Sequence, residues 1–62
     1  MKAEKVLREF KERVDSGRYS PKENLEFLIR AVGREPSQDP KERARQAIFA
    51  YNELLEKGAK SS

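Results

Sequence analysis

The feature that most constrains this chain is a helix-start signal that occurs twice, as Ser-Pro-Lys-Glu at residues 20–23 and as Asp-Pro-Lys-Glu at residues 39–42. In each copy a side-chain oxygen at the N-cap can accept a hydrogen bond from a free backbone N–H, and proline occupies the first helical position. The glutamate three residues after the cap can accept from the N-cap amide in return. Because each copy starts a helix, the chain is divided into three helical segments.

Three isolated glycines mark the predicted ends of these segments. Gly17, Gly33 and Gly58 each follow a stretch with helical periodicity, and glycine readily adopts the left-handed conformation that ends a helix. The caps and glycines together predict helices over residues 2–15, 21–32 and 40–57. The remaining tail, residues 59–62, has nothing to pack against, and we expect it to fray.

Apolar residues in each segment recur at i, i+3, i+4 and i+7, which places them on one face of a helix. The connections at 15–19 and 33–38 are short and polar, as between antiparallel neighbours in a helical bundle. We therefore predict an all-α fold, a compact up-down-up three-helix bundle that forms one domain over residues 1–58. Its predicted core consists of Ala3, Val6, Leu7, Phe10, Val14, Leu25, Leu28, Ile29, Val32, Ala44, Ala47, Ile48, Tyr51, Leu54 and Leu55.

The composition argues against most enzyme classes. The chain has no cysteine and no histidine, so it lacks a disulfide framework, the commonest metal ligands and the usual general base near neutral pH. Its serines have no histidine to activate them, and its glutamate pairs fall on faces that we expect to be solvated. We therefore expect no enzymatic activity, no catalytic residues, no cofactor and no metal.

Charge and hydropathy predict a soluble protein, which we expect to be monomeric. Fourteen Lys and Arg residues against eleven Asp and Glu residues give a net charge of +3, which is too balanced for a polyanion binder. No apolar run approaches the roughly 18 residues of a membrane span. Residues 1–15 alternate charged and apolar side chains, unlike a targeting signal, so we expect neither export nor membrane association.

Three aromatic residues lie off the predicted core faces, and they are our candidate protein–protein interface. Tyr19 is in the first connection, Phe27 projects roughly 160–200° away from Leu25, and Phe49 lies among charged residues of the third helix. Exposed aromatic residues are enriched at interface hot spots. A structural alternative stays open, because the middle helix of a bundle touches both neighbours and Tyr19 can cover one end of the core.

A DNA-binding domain of the helix-turn-helix type is an alternative function. Its candidate contacts are the basic residues around the second connection, Arg34, Lys41, Arg43 and Arg45. However, that connection is longer than the turn of the motif, and Asp39 and Glu42 would repel phosphates at the start of the third helix. We expect no specific duplex binding at physiological salt.

The chain resembles idealised, computationally designed three-helix bundle miniproteins. The resemblance rests on the repeated Pro-Lys-Glu helix starts, the glycine after each helix, the absence of Cys, His and Trp, and a surface filled with Glu, Lys and Arg. It covers residues 2–58. Such a resemblance implies a stable scaffold, or a binder that presents one helical face.

A second resemblance is to FF domains, which are small helical modules that bind phosphorylated or acidic peptides. Phe10, within residues 9–12, looks like the first hallmark phenylalanine of that family. Residues 46–51 are similar to the segment that carries the second, with Tyr51 matching and Ile48 in the place of the phenylalanine. This resemblance implies peptide binding. The sequence as a whole thus predicts a scaffold or a small protein-interaction module.

Overall fold

The computed structural model describes residues 3–60, and its account of side chains covers residues 3–58. It contains three α-helices, with α1 at Ala3–Ser16, α2 at Pro21–Ala31 and α3 at Pro40–Lys60. Each helix packs against both others, and no strand occurs in the described part of the chain. The predicted all-α three-helix bundle is therefore confirmed. The predicted first helical residue, Lys2, and the last two tail residues, 61–62, lie outside the described residues.

Both ends of α2 are closed in the predicted way. The hydroxyl oxygen of Ser20 accepts from the Glu23 amide at 3.2 Å, and the Glu23 carboxylate accepts from the Ser20 amide at 3.0 Å, which is a complete capping box. At the other end Gly33 has a φ of +81°, and the amides of Gly33 and Arg34 donate to carbonyls in the last turn. This is the hydrogen-bond pattern of a Schellman motif, so α2 leaves few free backbone groups.

Helix α1 ends directly before its predicted glycine, whereas α3 continues past its predicted glycine. Gly17, with a φ of +69°, follows the last residue of α1 as predicted. Asp39 precedes α3 and its carboxylate accepts from the Lys41 amide at 3.3 Å. The prediction that Gly58 ends the third helix is wrong, because α3 continues through it to Lys60. Residues 59–60, predicted to belong to a frayed tail, are therefore helical.

Gly58 has a packing role in place of the predicted capping role. It is buried, and a Cβ atom built on it would lie 3.7 Å from Cγ of Glu4 on α1. Glycine inside a helix costs roughly 0.5–1 kcal/mol relative to alanine, which tertiary packing readily offsets. Helix α3 thus continues beyond the position where local preference would end it, and it does so where α1 lies close by.

The buried core joins all three helices. It includes Val6 of α1, Leu28 of α2 and Leu54 of α3, and Ile29 is completely buried. Partly buried side chains surround this cluster, among them Phe27. Leu28 and Ile29 of the α2 stripe are therefore buried as predicted, whereas Leu25 and Val32 are partly buried. Phe27, which lies off that stripe, is also partly buried against the core.

The predicted buried face of α3 is wrong by a rotation of roughly 60° about the helix axis, taking 100° per residue. Ile48, predicted to lie in the core, is 62% exposed, and Tyr51 and Leu55 are also exposed. Ala50, which was not predicted to be buried, is buried instead. The buried row on α3 is Arg43, Ala47, Ala50, Leu54 and Gly58.

The physical reason for this rotation is the size of the buried side chains. Three of the five residues in the buried row are alanine or glycine, and the distance between two packed helices depends on the side chains at their contact. Small side chains allow the backbones to approach closely. The large apolar residues of α3 then lie beside the contact, together with Val14 of α1, which was also predicted to be buried and is exposed.

Two side chains of α3 hold the connection between α2 and α3. Nη1 of Arg43 donates to the carbonyl oxygens of Ser37 at 3.0 Å and Gln38 at 3.4 Å. The amide group of Gln46 donates to the carbonyl of Glu35 at 3.0 Å and accepts from the Ser37 N–H at 2.8 Å. Side chains of the following helix thus supply hydrogen bonds to the backbone of this connection, which lies outside the helices.

Candidate binding face

Large apolar side chains are exposed together on the side of the bundle where α1 meets α3. Val14 projects from the end of α1, and Ile48, Tyr51 and Leu55 project from successive turns of α3. Partly buried side chains fill the space between them and continue to α2. We call this surface the apolar face; its residues are Leu7, Phe10, Val14, Leu25, Ala44, Ile48, Tyr51 and Leu55.

The apolar face contains two shallow grooves that share a wall. One groove, of about 360 Å³, runs from Leu25 to Ile48 and is lined only by apolar or aromatic residues. The other, of about 490 Å³, lies between Val14 and Leu55. Phe10 and Tyr51 line both grooves, and their ring centroids are 6.2 Å apart with planes tilted by 55°. This tilted pair is a favourable aromatic geometry, so it forms a defined wall between the grooves.

The margin of the apolar face is mainly basic. Arg8, Lys11 and Asp15 line the second groove, and all three are exposed. Further exposed charges lie three residues before an apolar-face residue on the same helix, a spacing that places them on the same side. They are Lys22 before Leu25, Lys41 before Ala44, Arg45 before Ile48 and Glu4 before Leu7. Among residues 3–58, the groove lining and this spacing therefore place five basic residues beside the face against two acidic ones.

Phe49, a residue of the predicted interface, belongs to a different surface. It is 73% exposed and lines a hollow of about 330 Å³ with Val32, Arg34 and Gln46. Glu53 and Glu56 also line this hollow, so its surroundings are more polar than the apolar face. Phe49 and Ile48 are neighbours in sequence, but they point to different sides of α3 because successive helical residues are about 100° apart.

Tyr19 and Phe27, the other two residues of the predicted interface, are brought together by one cation. The guanidinium carbon of Arg13 lies 4.2 Å from the ring centre of Tyr19 and 4.3 Å from that of Phe27. Such cation–π contacts contribute roughly 0.5–2 kcal/mol each. Phe27 also packs on the core. The packing of Phe27 on the core agrees with the structural alternative, which did not include the Arg13 contact. Phe49 lines a separate hollow, so the three aromatic residues do not share one patch.

The candidate nucleic-acid contacts are divided by the structure. Arg34, Lys41 and Arg45 are exposed. Arg43 is only 9% exposed, and its guanidinium donates to backbone carbonyls of the α2–α3 connection. The Arg43 guanidinium thus has a structural role in the bundle, and its role as a nucleic-acid contact stays a prediction of the alternative function.

Sequence reasoning placed all eight residues of the apolar face in the core, and four of them, Val14, Ile48, Tyr51 and Leu55, are exposed. The available signal was the second row on α3, in which Ala47, Ala50 and Gly58 recur at helical spacing. A row of small residues is suited to close helix packing, and it competes with the larger residues for the buried side. Recognising that competition would have indicated the exposure of the larger residues.

Within residues 3–58, no group of three or more Asp, Glu, His or Cys side chains is placed to hold a metal ion. Among the described helices, none combines the length and the hydrophobicity that are needed to cross a lipid bilayer. Comparisons of the chain with protein-family models, curated proteins and solved structures find no match. The function proposed below therefore rests on the geometry of the chain itself.

Proposed function

We propose that this chain is a small, non-enzymatic helical module that binds another protein through the apolar face. The observation that carries the proposal is the exposure of Val14, Ile48, Tyr51 and Leu55 on one side of the bundle, continuous with two grooves. Monomeric proteins rarely expose large contiguous apolar patches, and such patches bordered by polar residues are typical of interaction sites.

The energetics of the two sides of α3 support this proposal. Ile48 contributes little to the bundle where it stands, because most of its surface remains in water. Burial of apolar surface is favourable by roughly 25 cal/mol per Å², so a partner that covers these side chains gains free energy the fold has not used. Aromatic residues such as Tyr51 and Phe10 are enriched at interface hot spots, and here they form the central wall of the face.

The experiment that tests this proposal uses two neighbouring exposed residues as matched variants. Ile48→Ser alters the apolar face, and Phe49→Ser alters a different side of the same helical turn, about 100° away. Helical peptides selected from an unbiased displayed library against the full chain are measured against both variants. We expect Ile48→Ser to weaken selected binders by about tenfold or more, as loss of a hot-spot residue does, with Phe49→Ser nearly neutral.

Two results would contradict the proposal. One is a library that yields no binders at all. The other is a set of binders that are insensitive to Ile48→Ser and depend on Phe49, which would instead place the interface at the originally predicted aromatic residue. Far-UV circular dichroism of both variants shows whether the helices are retained, which we expect because both side chains are exposed.

A self-contained scaffold of the designed type is the second candidate. It is favoured by the complete capping box and Schellman motif of α2, since such idealised helix ends are deliberate features of designed miniproteins. Gly58 inside α3 and the exposed Ile48 and Leu55 depart from an idealised design. Failure to find any binder that depends on the apolar face would favour this candidate.

A further inference from the structure

We propose that the partner of the apolar face is a single amphipathic helix whose apolar stripe is flanked by acidic residues, an inference that rests on the binding function proposed above. Helix-in-groove recognition uses anchor side chains at i, i+3 or i+4, and i+7 of the bound helix. The apolar face offers matching features, since it contains two grooves and is lined by side chains of α1 and α3, with Leu25 added from α2.

The dimensions of the face suit about three turns of helix. Along α3 it extends from Ala44 to Leu55, which at 1.5 Å per residue is roughly 16 Å. The tilted pair of Phe10 and Tyr51 divides this length into two grooves. A bound helix would therefore place one large apolar anchor on each side of that wall, one toward Ile48 and one toward Leu55.

The charges at the margin of the apolar face favour a partner with acidic residues beside its apolar stripe. Five exposed basic residues border the face, and only Glu4 and Asp15 oppose them. The acidic residues Glu53 and Glu56 line the Phe49 hollow on another side of α3. Complementary charge across an interface speeds association and suppresses wrong partners, so carboxylates beside the apolar anchors would be preferred. The basic residues are Arg8, Lys11, Lys22, Lys41 and Arg45.

A second copy of this chain fits the face less well. In a two-fold symmetric dimer the same patch meets itself, so the basic margin of one copy would oppose the basic margin of the other. The chain also carries a net charge of +3, which adds to this repulsion. An anionic membrane surface matches the charge but is flat, so it would leave the two grooves unfilled. A helix with an apolar stripe fills the grooves and matches the charge.

The experiment titrates the full chain with two synthetic helical peptides of about fourteen residues. Both carry the same leucine anchors at i, i+4 and i+7; one has glutamate and the other lysine at every flanking position. Labelled peptides are followed by fluorescence anisotropy, and the site is located by amide chemical shifts. We expect the glutamate peptide to bind about tenfold more tightly at low salt, with shifts on residues of the apolar face. This preference should shrink as added salt screens the exposed charges.

Variants of the chain connect this preference to the residues named above. Ile48→Ser should weaken the glutamate peptide by about tenfold or more, with Phe49→Ser as the matched control. The double change Arg8→Glu and Lys11→Glu should reverse or abolish the preference for the glutamate peptide, while the leucine anchors keep both peptides on the face. Circular dichroism of each variant establishes that its helices are intact.

Each other outcome overturns the inference. Equal affinity for the two peptides would show that the apolar face does not distinguish acidic from basic flanking residues. The proposed binding function itself would still stand. If neither peptide binds but library-selected binders depend on Ile48, the inferred partner is wrong and the binding function still stands. Binding of the chain to phosphatidylserine vesicles without binding of either peptide would assign the face to a membrane. Sedimentation that shows a dimer lost on Ile48→Ser would assign it to a second copy. Failure of both the peptides and the library would remove the proposed function together with this inference.

Discussion

Helices α2 and α3 use their large apolar side chains in opposite ways. In α2, Leu28 and Ile29 are buried, and both helix ends are closed by hydrogen bonds. In α3 the buried side carries mainly small residues, whereas Ile48 and Leu55 are exposed. Helix α2 thus places Leu28 and Ile29 in the core and contributes one residue, Leu25, to the apolar face. Helix α3 divides its apolar surface between holding the bundle and presenting a face to solvent.

The largest expected effect comes from two adjacent leucines of α3. Leu54 is buried in the core and Leu55 is exposed on the apolar face. Leu54→Ala should lower the free energy of unfolding by about 2–5 kcal/mol, because it removes buried methyl groups and leaves a cavity. Leu55→Ala should cost less than about 1 kcal/mol. Urea denaturation of both variants measures the difference, and equal losses would mean that the two sides of α3 are wrongly distinguished.

Two arginines test the same division at the start of α3. Arg43 is buried and donates to two carbonyls of the α2–α3 connection, whereas Arg45 is exposed. Arg43→Met should lower the free energy of unfolding by about 1–3 kcal/mol through the loss of charge-assisted hydrogen bonds. Arg45→Met, the matched control, should stay within about 0.5 kcal/mol. If thermal or urea unfolding ranked the two in the reverse order, the orientation of α3 at this end would have to be revised.

The glycines that follow α2 and lie within α3 should respond in opposite directions to alanine. Gly33 has a φ of +81°, so Gly33→Ala should cost about 1–2 kcal/mol. Gly58 is helical and a Cβ would meet Glu4 at an ordinary 3.7 Å, so Gly58→Ala should gain about 0.5–1 kcal/mol. Gly17→Ala should behave like Gly33→Ala. Destabilisation by Gly58→Ala would indicate that α3 ends there after all.

The smallest effect concerns the capping box of α2. The pKa of Glu23 lies below its ordinary value of 4.5, because the backbone amide and then the hydroxyl of Ser20 hydrogen-bond the carboxylate, with added attraction from Arg13. A lowered pKa in the folded state means that this stabilisation is present above the unfolded pKa. It is lost as the pH falls through the folded pKa.

An NMR titration of the Glu23 carboxyl should therefore give a midpoint below 4.5. Glu23→Gln keeps an acceptor for the Ser20 amide but removes the charge, so it should flatten part of the loss of stability that occurs as the pH falls below about 4.5. A midpoint at or above the ordinary value would mean that the capping box does not persist in solution.

The fold was predictable because local signals decide it. The repeated helix starts and the glycines at 17 and 33 act through backbone hydrogen bonds and backbone conformation within a few residues, so they can be recognised from the sequence. The end of α3 was not predictable in this way. Gly58 is helical and buried where α1 lies close to α3, and a local preference of the sequence does not contain that tertiary arrangement.

The binding face was harder to predict than the fold. Periodicity locates an apolar arc on a helix, but it does not decide between two overlapping arcs on α3, one of small residues and one of large ones. Burial of the polar residues Arg43 and Asn24 also had no sequence signal, since both types are usually exposed. Phe49 was placed off the core face with its burial left open, and it is exposed. Its role as an interface residue stays a prediction.

Hydrogen bonds from Arg43 and Gln46 should slow amide hydrogen exchange in the α2–α3 connection relative to an unbonded loop. Because the Ser37 amide is bonded to the Gln46 side chain at 2.8 Å, its hydrogen can exchange with solvent only when that bond opens. Amide exchange reports local opening, and cooperative units often combine several elements. The amide hydrogens of the connection should therefore exchange together with those in the first turns of α3. Their exchange should be as slow as that of a helix end, and slower than that of a loop without such bonds.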